Sequence, residues 1–195
     1  GSLALLGGAT LTHPATTTDA EHRLELVLTD TLRIDAASKI DVTGRGYLPG
    51  RTLGNTAVGA AYSNAGGSYG GYGAIQSGSS SNAVYGDYRN PDELGSGSGT
   101  ETWYSASAGG GLVRIVAASA VVDGAILANG GDVDGNKGMT GSGGGVLLDT
   151  GALSGGGTIA ANGGNVTTQY GWGGGGGRVA IYCRELAGFD LSRVT

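Results

Sequence analysis

The chain has 195 residues, of which 43 are glycine and only 3 proline, with one cysteine and a formal charge of −5. Collagen is excluded because the glycines follow no three-residue period, and an internal disulfide because a single thiol has no partner. A nucleic-acid binder built on a basic stripe is excluded too, since 11 Lys and Arg lie scattered among 16 Asp and Glu, and no apolar run approaches membrane-spanning length.

In chain order, residues 3–12 supply a first pair of short strands, and residues 23–28 and 31–35 a second pair. His13 and His22 flank PATTTDA. They are too far apart and lack a third ligand, so they read as surface or turn histidines and not as a zinc site. IDVTGRG at 40–46 follows the same pattern as ILANGG at 126–131, which makes the amino-terminal part a divergent coil of the repeat that follows.

Residues 47–108 interrupt that repeat with a Gly/Ser/Tyr-rich excursion carrying seven of the nine tyrosines and Trp103. A disordered linker has little use for so many large amphipathic rings, so the excursion is expected to be ordered and packed against the coils. Two roles are open for the rings. They can pin glycine-rich backbone to the coils, or they can cover the apolar face of a sugar while neighbouring polar groups meet its hydroxyls. For the second role the candidates are Trp103 with Tyr104, and the group Tyr85, Asp87, Tyr88, Arg89 and Asn90. Tyr170 with Trp172 forms a smaller candidate pair.

The repeat is clearest in the last third. GGGLVRIVAASAVVDGAILANGG is followed by GGGVLLDTGALSGGGTIAANGG, with Asn129-Gly130-Gly131 recurring as Asn162-Gly163-Gly164 about 33 residues on. A third copy, GGGRVAIYCRELAGFDLSRVT, stops before the next Asn-Gly and so is read as ending inside a repeat. The β-suited runs are 112–116 with 125–128, 146–149 with 158–161, and 178–182 with 191–194. Each is too short to stand alone, and stacking on its equivalent in the next coil buries one face. Alternation places Val113, Ile115, Ile126, Val179 and Ile181 inward. The Asn-Gly dipeptides are expected to be positive-φ turns. Cys183, inside VAIYC, reads as a small buried hydrophobe.

One segment carries a metal-like pattern. In DVDGNKG, Asp132, Asp134 and Asn136 offer oxygens at alternate positions around a glycine, as short calcium loops do, although the twelfth loop position is Gly143 and not glutamate. The other reading of this segment is a polar, solvent-facing turn. Catalysis would need acids or bases stacked on neighbouring coils. Aligning the repeats sets Asp123 over Gly156, Asp149 over Ala117 or Cys183, and Arg114 over Leu148 and Ala180, so the carboxylates do not stack. A polysaccharide lyase or glycoside hydrolase on a β-helix is therefore the second reading, behind a non-catalytic one.

The phrases LTHPATTTDAEHRLELVLTDTLRIDAASKIDVTGRGYLPG, YGDYRNPDELGSGSG, LSGGGTIAANGG and GGGGGRVAIYC cover nearly the whole chain. They resemble the glycine-rich β-helical repeat regions of very large secreted or cell-surface bacterial proteins, many of them presumed adhesins. The resemblance maps the start of the excursion to residues 44–47. It implies one all-β segment over residues 1–195, a right-handed parallel β-helix acting as an extracellular adhesion or structural module. It also implies neighbouring domains of a larger parent chain as partners, while a polysaccharide or cell-surface glycan is the partner to which the aromatic groups of the excursion point.

Overall fold

A computed structural model describes residues 1–134, 137–167 and 170–195. They form an all-β, right-handed parallel solenoid of about five turns. The first coil contributes β1 (Leu3–Leu5) and β2 (Thr10–Leu11). The second contributes β3 (Leu24–Val27), β4 (Thr31–Ile34) and β5 (Lys39–Asp41), and after the excursion β6 (Ser105–Ala106). The third holds β7 (Leu112–Val122), β8 (Ala125–Leu127) and β9 (Lys137–Met139), and the fourth β10 (Gly145–Ser154), β11 (Thr158–Ala160) and β12 (Tyr170–Trp172). The last begins with β13 (Arg178–Leu186). The named strands pair in parallel in three sheets, ordered β1-β4-β7-β10-β13 with β3 also beside β7, β2-β5-β8-β11, and β6-β9-β12.

The 33-residue pitch is locked by polar ladders as well as by strands. Asp123, Asn129 and Asp132 each accept, through a side-chain oxygen, the backbone N–H of the residue 33 positions on, namely Gly156, Asn162 and Asn165. Ile40 pairs with Ile126 and Ile126 with Ile159, so IDVTGRG and ILANGG do occupy equivalent positions. Inside, Val113, Ile115, Ile126, Val146, Leu148 and Ile159 are fully buried, and Val179 and Ile181 pack against them from the last coil.

Sheet strands run longer than the sequence pattern indicates, for a physical reason. In β7 the inward positions are 113, 115 and 117, then 120 and 122; in β10 they are 146, 148 and 150, then 153. Two successive residues, Ala118 and Ser119 in one coil and Gly151 and Ala152 in the next, leave the core at a bend. The period of two that marks a strand breaks there, although the ladder continues on both sides. The last coil differs more. Instead of a strand over 191–194, a 3-10 turn spans Leu191–Arg193, the Ser192 N–H capped by the Asp190 carboxylate, and Phe189 is buried against the end of the core. Only Val194 bridges to Ile159.

On either side of the β6-β9-β12 sheet, between β8 or β11 and the return to β10 or β13, the coils run as glycine-rich chains without strand ladders. Each coil passes out through residues 128–131 or 161–164 and back through 140–144 or 173–177, and the excursion lays residues 66–70 and 95–99 against the returning chains. Successive residues of one chain donate to different neighbours: Ser142 to Ser96 O, Gly143 to Gly175 O, Gly144 to Ala128 O. Along the excursion chain Gly95 donates to Gly110 O, Gly97 to Arg51 O and Gly99 to Ala65 O. A strand bonds to two neighbours and has its side chains above and below. A chain bonded around its circumference has backbone where many of its side chains would be, and at those positions only glycine fits, with small Ser and Thr side chains between them. A Cβ on Gly143 would collide with the Ala161 carbonyl oxygen, one on Gly144 with that of Gly111, and one on Gly97 with that of Leu48.

This close packing corrects the expectation for the Asn-Gly dipeptides. Gly130 and Gly163 are not among the glycines with positive φ, and the non-glycine residues that are, Asn55 and Ser63, lie in the excursion. Gly130 and Gly163 are glycine because the carbonyls of Gly141 and Gly174 press on their Cα atoms, while Asn129 spends its side chain on the ladder to Asn162.

Candidate functional site

The β6-β9-β12 sheet stands at the end of the glycine chains. Its register places Ser105 beside Gly138, and Lys137 beside Tyr170, so Tyr104, Lys137 and Tyr170 follow one another across three coils. Tyr104 and Trp172 stack with ring centroids 6.1 Å apart at 22°. The Lys137 ammonium lies 4.9 Å from the Tyr104 ring centre and 5.6 Å from that of Tyr170, and donates to the Tyr104 hydroxyl at 3.2 Å. Such contacts contribute about 0.5–1 kcal/mol each at an exposed site. Met139 is buried on the same strand as Lys137, and Gly138 lies so close to Val133 that a side chain there would meet it. Trp103 is 88% exposed beside Tyr104. Tyr104, seen apart from Tyr170 and Trp172 in the sequence, thus joins them in one face around Lys137, a residue that carries no signal of its own in the sequence.

The Tyr85 to Asn90 group lies elsewhere. Tyr85 packs against Tyr69, centroids 4.8 Å apart, and donates its hydroxyl to Leu94 O at 2.6 Å. Arg178 of β13 forks onto Tyr85 O at 3.0 and 2.7 Å and lies over the Tyr69 ring. Tyr47, Leu94 and Leu112 complete this small core, which ties the excursion to the start of β7. Burial pushes the phenols of Tyr47, Tyr69 and Tyr85 well above the ordinary tyrosine value. These three rings pin backbone. The rest of the group is at the surface: Tyr88 is 63% exposed with the Arg89 guanidinium 5.2 Å over its ring, and Asp87 accepts the Arg89 N–H. Asn90 accepts from Arg114, and Tyr182 donates to Arg89 O, so β7 and β13 hold the loop on the outside of the solenoid. Trp172 and Arg178 sit at opposite ends of the glycine run 173–177. Six residue steps, a reach of at most roughly 20 Å, separate the two groups along that run.

A shallow depression of about 670 Å³ lies on the outer face of the main sheet, lined in part by Asp149, Gly151, Tyr182 and Arg184. The register sets Asp149 beside Val116 and Tyr182, and Arg114 between Glu25 and Leu147, with Ala180 one coil beyond Leu147 in the same row. Alignment of the repeats by sequence is thus one residue out for Asp149 and for one neighbour of Arg114, but its inference that the carboxylates do not stack is met: Asp149 is the one carboxylate lining the depression. Glu93, which burial and the adjacent Asp92 push upward, is held by the Tyr47 hydroxyl at 3.4 Å and lies outside it.

For the metal pattern, Asp132 commits one carboxylate oxygen to the Asn165 N–H at 2.7 Å, Asp134 is exposed, and Asn136 lies outside the described residues. Among the described residues no three His, Cys, Asp or Glu side chains come together as a metal-binding group. His13 is buried, not at the surface: its Nδ1–H donates to Pro14 O at 2.7 Å, leaving Nε2 without a partner, and burial lowers its pKa. Cys183 is half-buried, packed against the core on the row of Ala117 and Thr150. No described helix is long and apolar enough to cross a membrane.

No protein-family model, curated protein or solved structure matches the chain.

Proposed function

We propose that this chain is a non-catalytic, extracellular adhesion module that binds carbohydrate through the face formed by Tyr104, Lys137, Tyr170 and Trp172, with the exposed Trp103 as a further contact. The observation that carries the reading is the stack of Tyr104 on Trp172 across three coils, with Trp103 exposed beside it. Sugar rings present apolar C–H faces edged by hydroxyls, and a flat aromatic surface covers such a face without a deep pocket. Large exposed rings on a soluble surface cost solvation unless a ligand covers them. Rigid support matters as much, because a platform ordered before binding loses little entropy when the ligand arrives. The glycine chains provide that support. Extracellular placement rests on the sequence resemblance, and the non-catalytic reading on a register that sets Asp149 beside Val116 and Tyr182.

Binding of the purified chain to a broad array of immobilised glycans tests the proposal, alongside Trp172→Ala and Trp103→Ala. Selective binding to one glycan class, weakened tenfold or more by Trp172→Ala, is the expected result. Binding to no glycan, or equal binding by the wild type and both variants, would overturn it.

A further inference from the structure

We infer that the aromatic face selects acidic sugars, with Lys137 as the residue that reads the anion. The inference rests on the carbohydrate reading above and narrows it to a ligand class. The ion pairs formed among the described residues join Arg23 to Glu25, Lys39 to Asp41 and Arg193 to Asp190. Lys137 is in none of them. Its ammonium rests between the rings of Tyr104 and Tyr170 and gives a hydrogen bond to the Tyr104 hydroxyl. An ammonium has three N–H donors, so two remain for a ligand. Flanking rings favour the cation without neutralising it, and they restrict a side chain that would otherwise lose much rotamer freedom on binding.

A sugar stacked on Tyr104 and Trp172 therefore meets a positive charge within the aromatic surface. A carboxylate or sulfate on the sugar accepts a charge-assisted hydrogen bond there, and a hydroxyl in the same place accepts a weaker neutral one. The expected discrimination is roughly tenfold or more, the ordinary range for a hydrogen bond to a charged group. The overall charge of −5 disfavours non-specific attraction of polyanions, so the preference must come from this local site and not from the field of the whole protein.

The test uses matched panels of carboxylated, sulfated and neutral oligosaccharides, with the wild type, Lys137→Gln, Lys137→Arg and Trp172→Ala. Thermal melts first establish that each variant is folded. Preference for carboxylated or for sulfated sugars over neutral ones, lost in Lys137→Gln and kept in Lys137→Arg, is the expected result, and the two acidic arms identify the anion. Equal binding of acidic and neutral sugars, unchanged by Lys137→Gln but lost in Trp172→Ala, would overturn the acidic preference and leave the carbohydrate reading standing. No binding in any arm would overturn both.

Discussion

Replacing Gly143 by alanine tests whether the glycine chains are packed or merely adjacent. The added Cβ would collide with the Ala161 carbonyl oxygen, with Ala161 C and Gly177 N both 2.6 Å away. Carbon atoms in contact prefer roughly 3.5–4.0 Å, so both neighbours must retreat by about 1 Å. That movement strains the layer by about 1–3 kcal/mol. It also stretches the Gly143 N–H bond to Gly175 O at 3.0 Å and the Gly177 N–H bond to Ala161 O at 2.7 Å, and a buried bond left unmade costs about 1–3 kcal/mol. Together these give about 4 kcal/mol, a large part of a typical stability of roughly 5–15 kcal/mol. For a chain of this size the melting temperature should fall by about 8–16 °C. Gly176→Ala is the control: the same residue type in the same kind of run, with open space for 4 Å around the added Cβ, should change stability by about 0.5 kcal/mol or less. Melts followed by circular dichroism decide the matter. Equal stability of the two variants would refute close packing of the glycine layer.

Other consequences follow from the same geometry. Arg178→Ala removes both bonds to Tyr85 O and the contact with the Tyr69 ring; it should destabilise by about 1.5–3 kcal/mol and speed proteolytic nicking within residues 85–90, read by mass spectrometry. His13 has a pKa below its unfolded value of 6.5 because it is buried, so the unfolded chain takes up a proton first as pH falls. Stability should therefore drop below about pH 6.5, and His13→Leu should flatten the pH dependence of the melting temperature. Tyr47, Tyr69 and Tyr85 have folded pKa values above the ordinary 10.0. Ultraviolet titration should show three phenols ionising late, with stability falling as pH rises above about 10, where the unfolded chain ionises first.

The sequence disclosed the solenoid because its signals are periodic. Asn129 and Asn162 recur at the pitch that the polar ladder enforces, and the inward Val113, Ile115 and Ile126 follow alternation. It concealed the bend at Ala118 and Ser119, where alternation fails while the ladder persists. The glycine layer was visible only as composition, since the partner of Gly143 is the distant Ala161 and of Gly97 is Leu48, and no local pattern records such pairings. Tyrosines illustrate the same limit. Tyr85 and Tyr88 are three residues apart and chemically alike, yet one is pinned beneath Arg178 and the other is open to solvent, a difference made by β13 about 90 residues later. Lys137 escaped notice because its meaning depends on the strand register that brings Tyr104 and Tyr170 to either side of it.

The excursion belongs to the solenoid as a layer of hydrogen-bonded, glycine-rich chains that fixes the aromatic face. Amide hydrogen exchange, resolved by residue, reads the protection of that layer. The N–H groups of Gly67, Gly95, Gly97 and Gly99, which donate to Thr140, Gly110, Arg51 and Ala65, should exchange as slowly as those of β10. Exchange at the rate of an unprotected chain, while β10 stays protected, would contradict it.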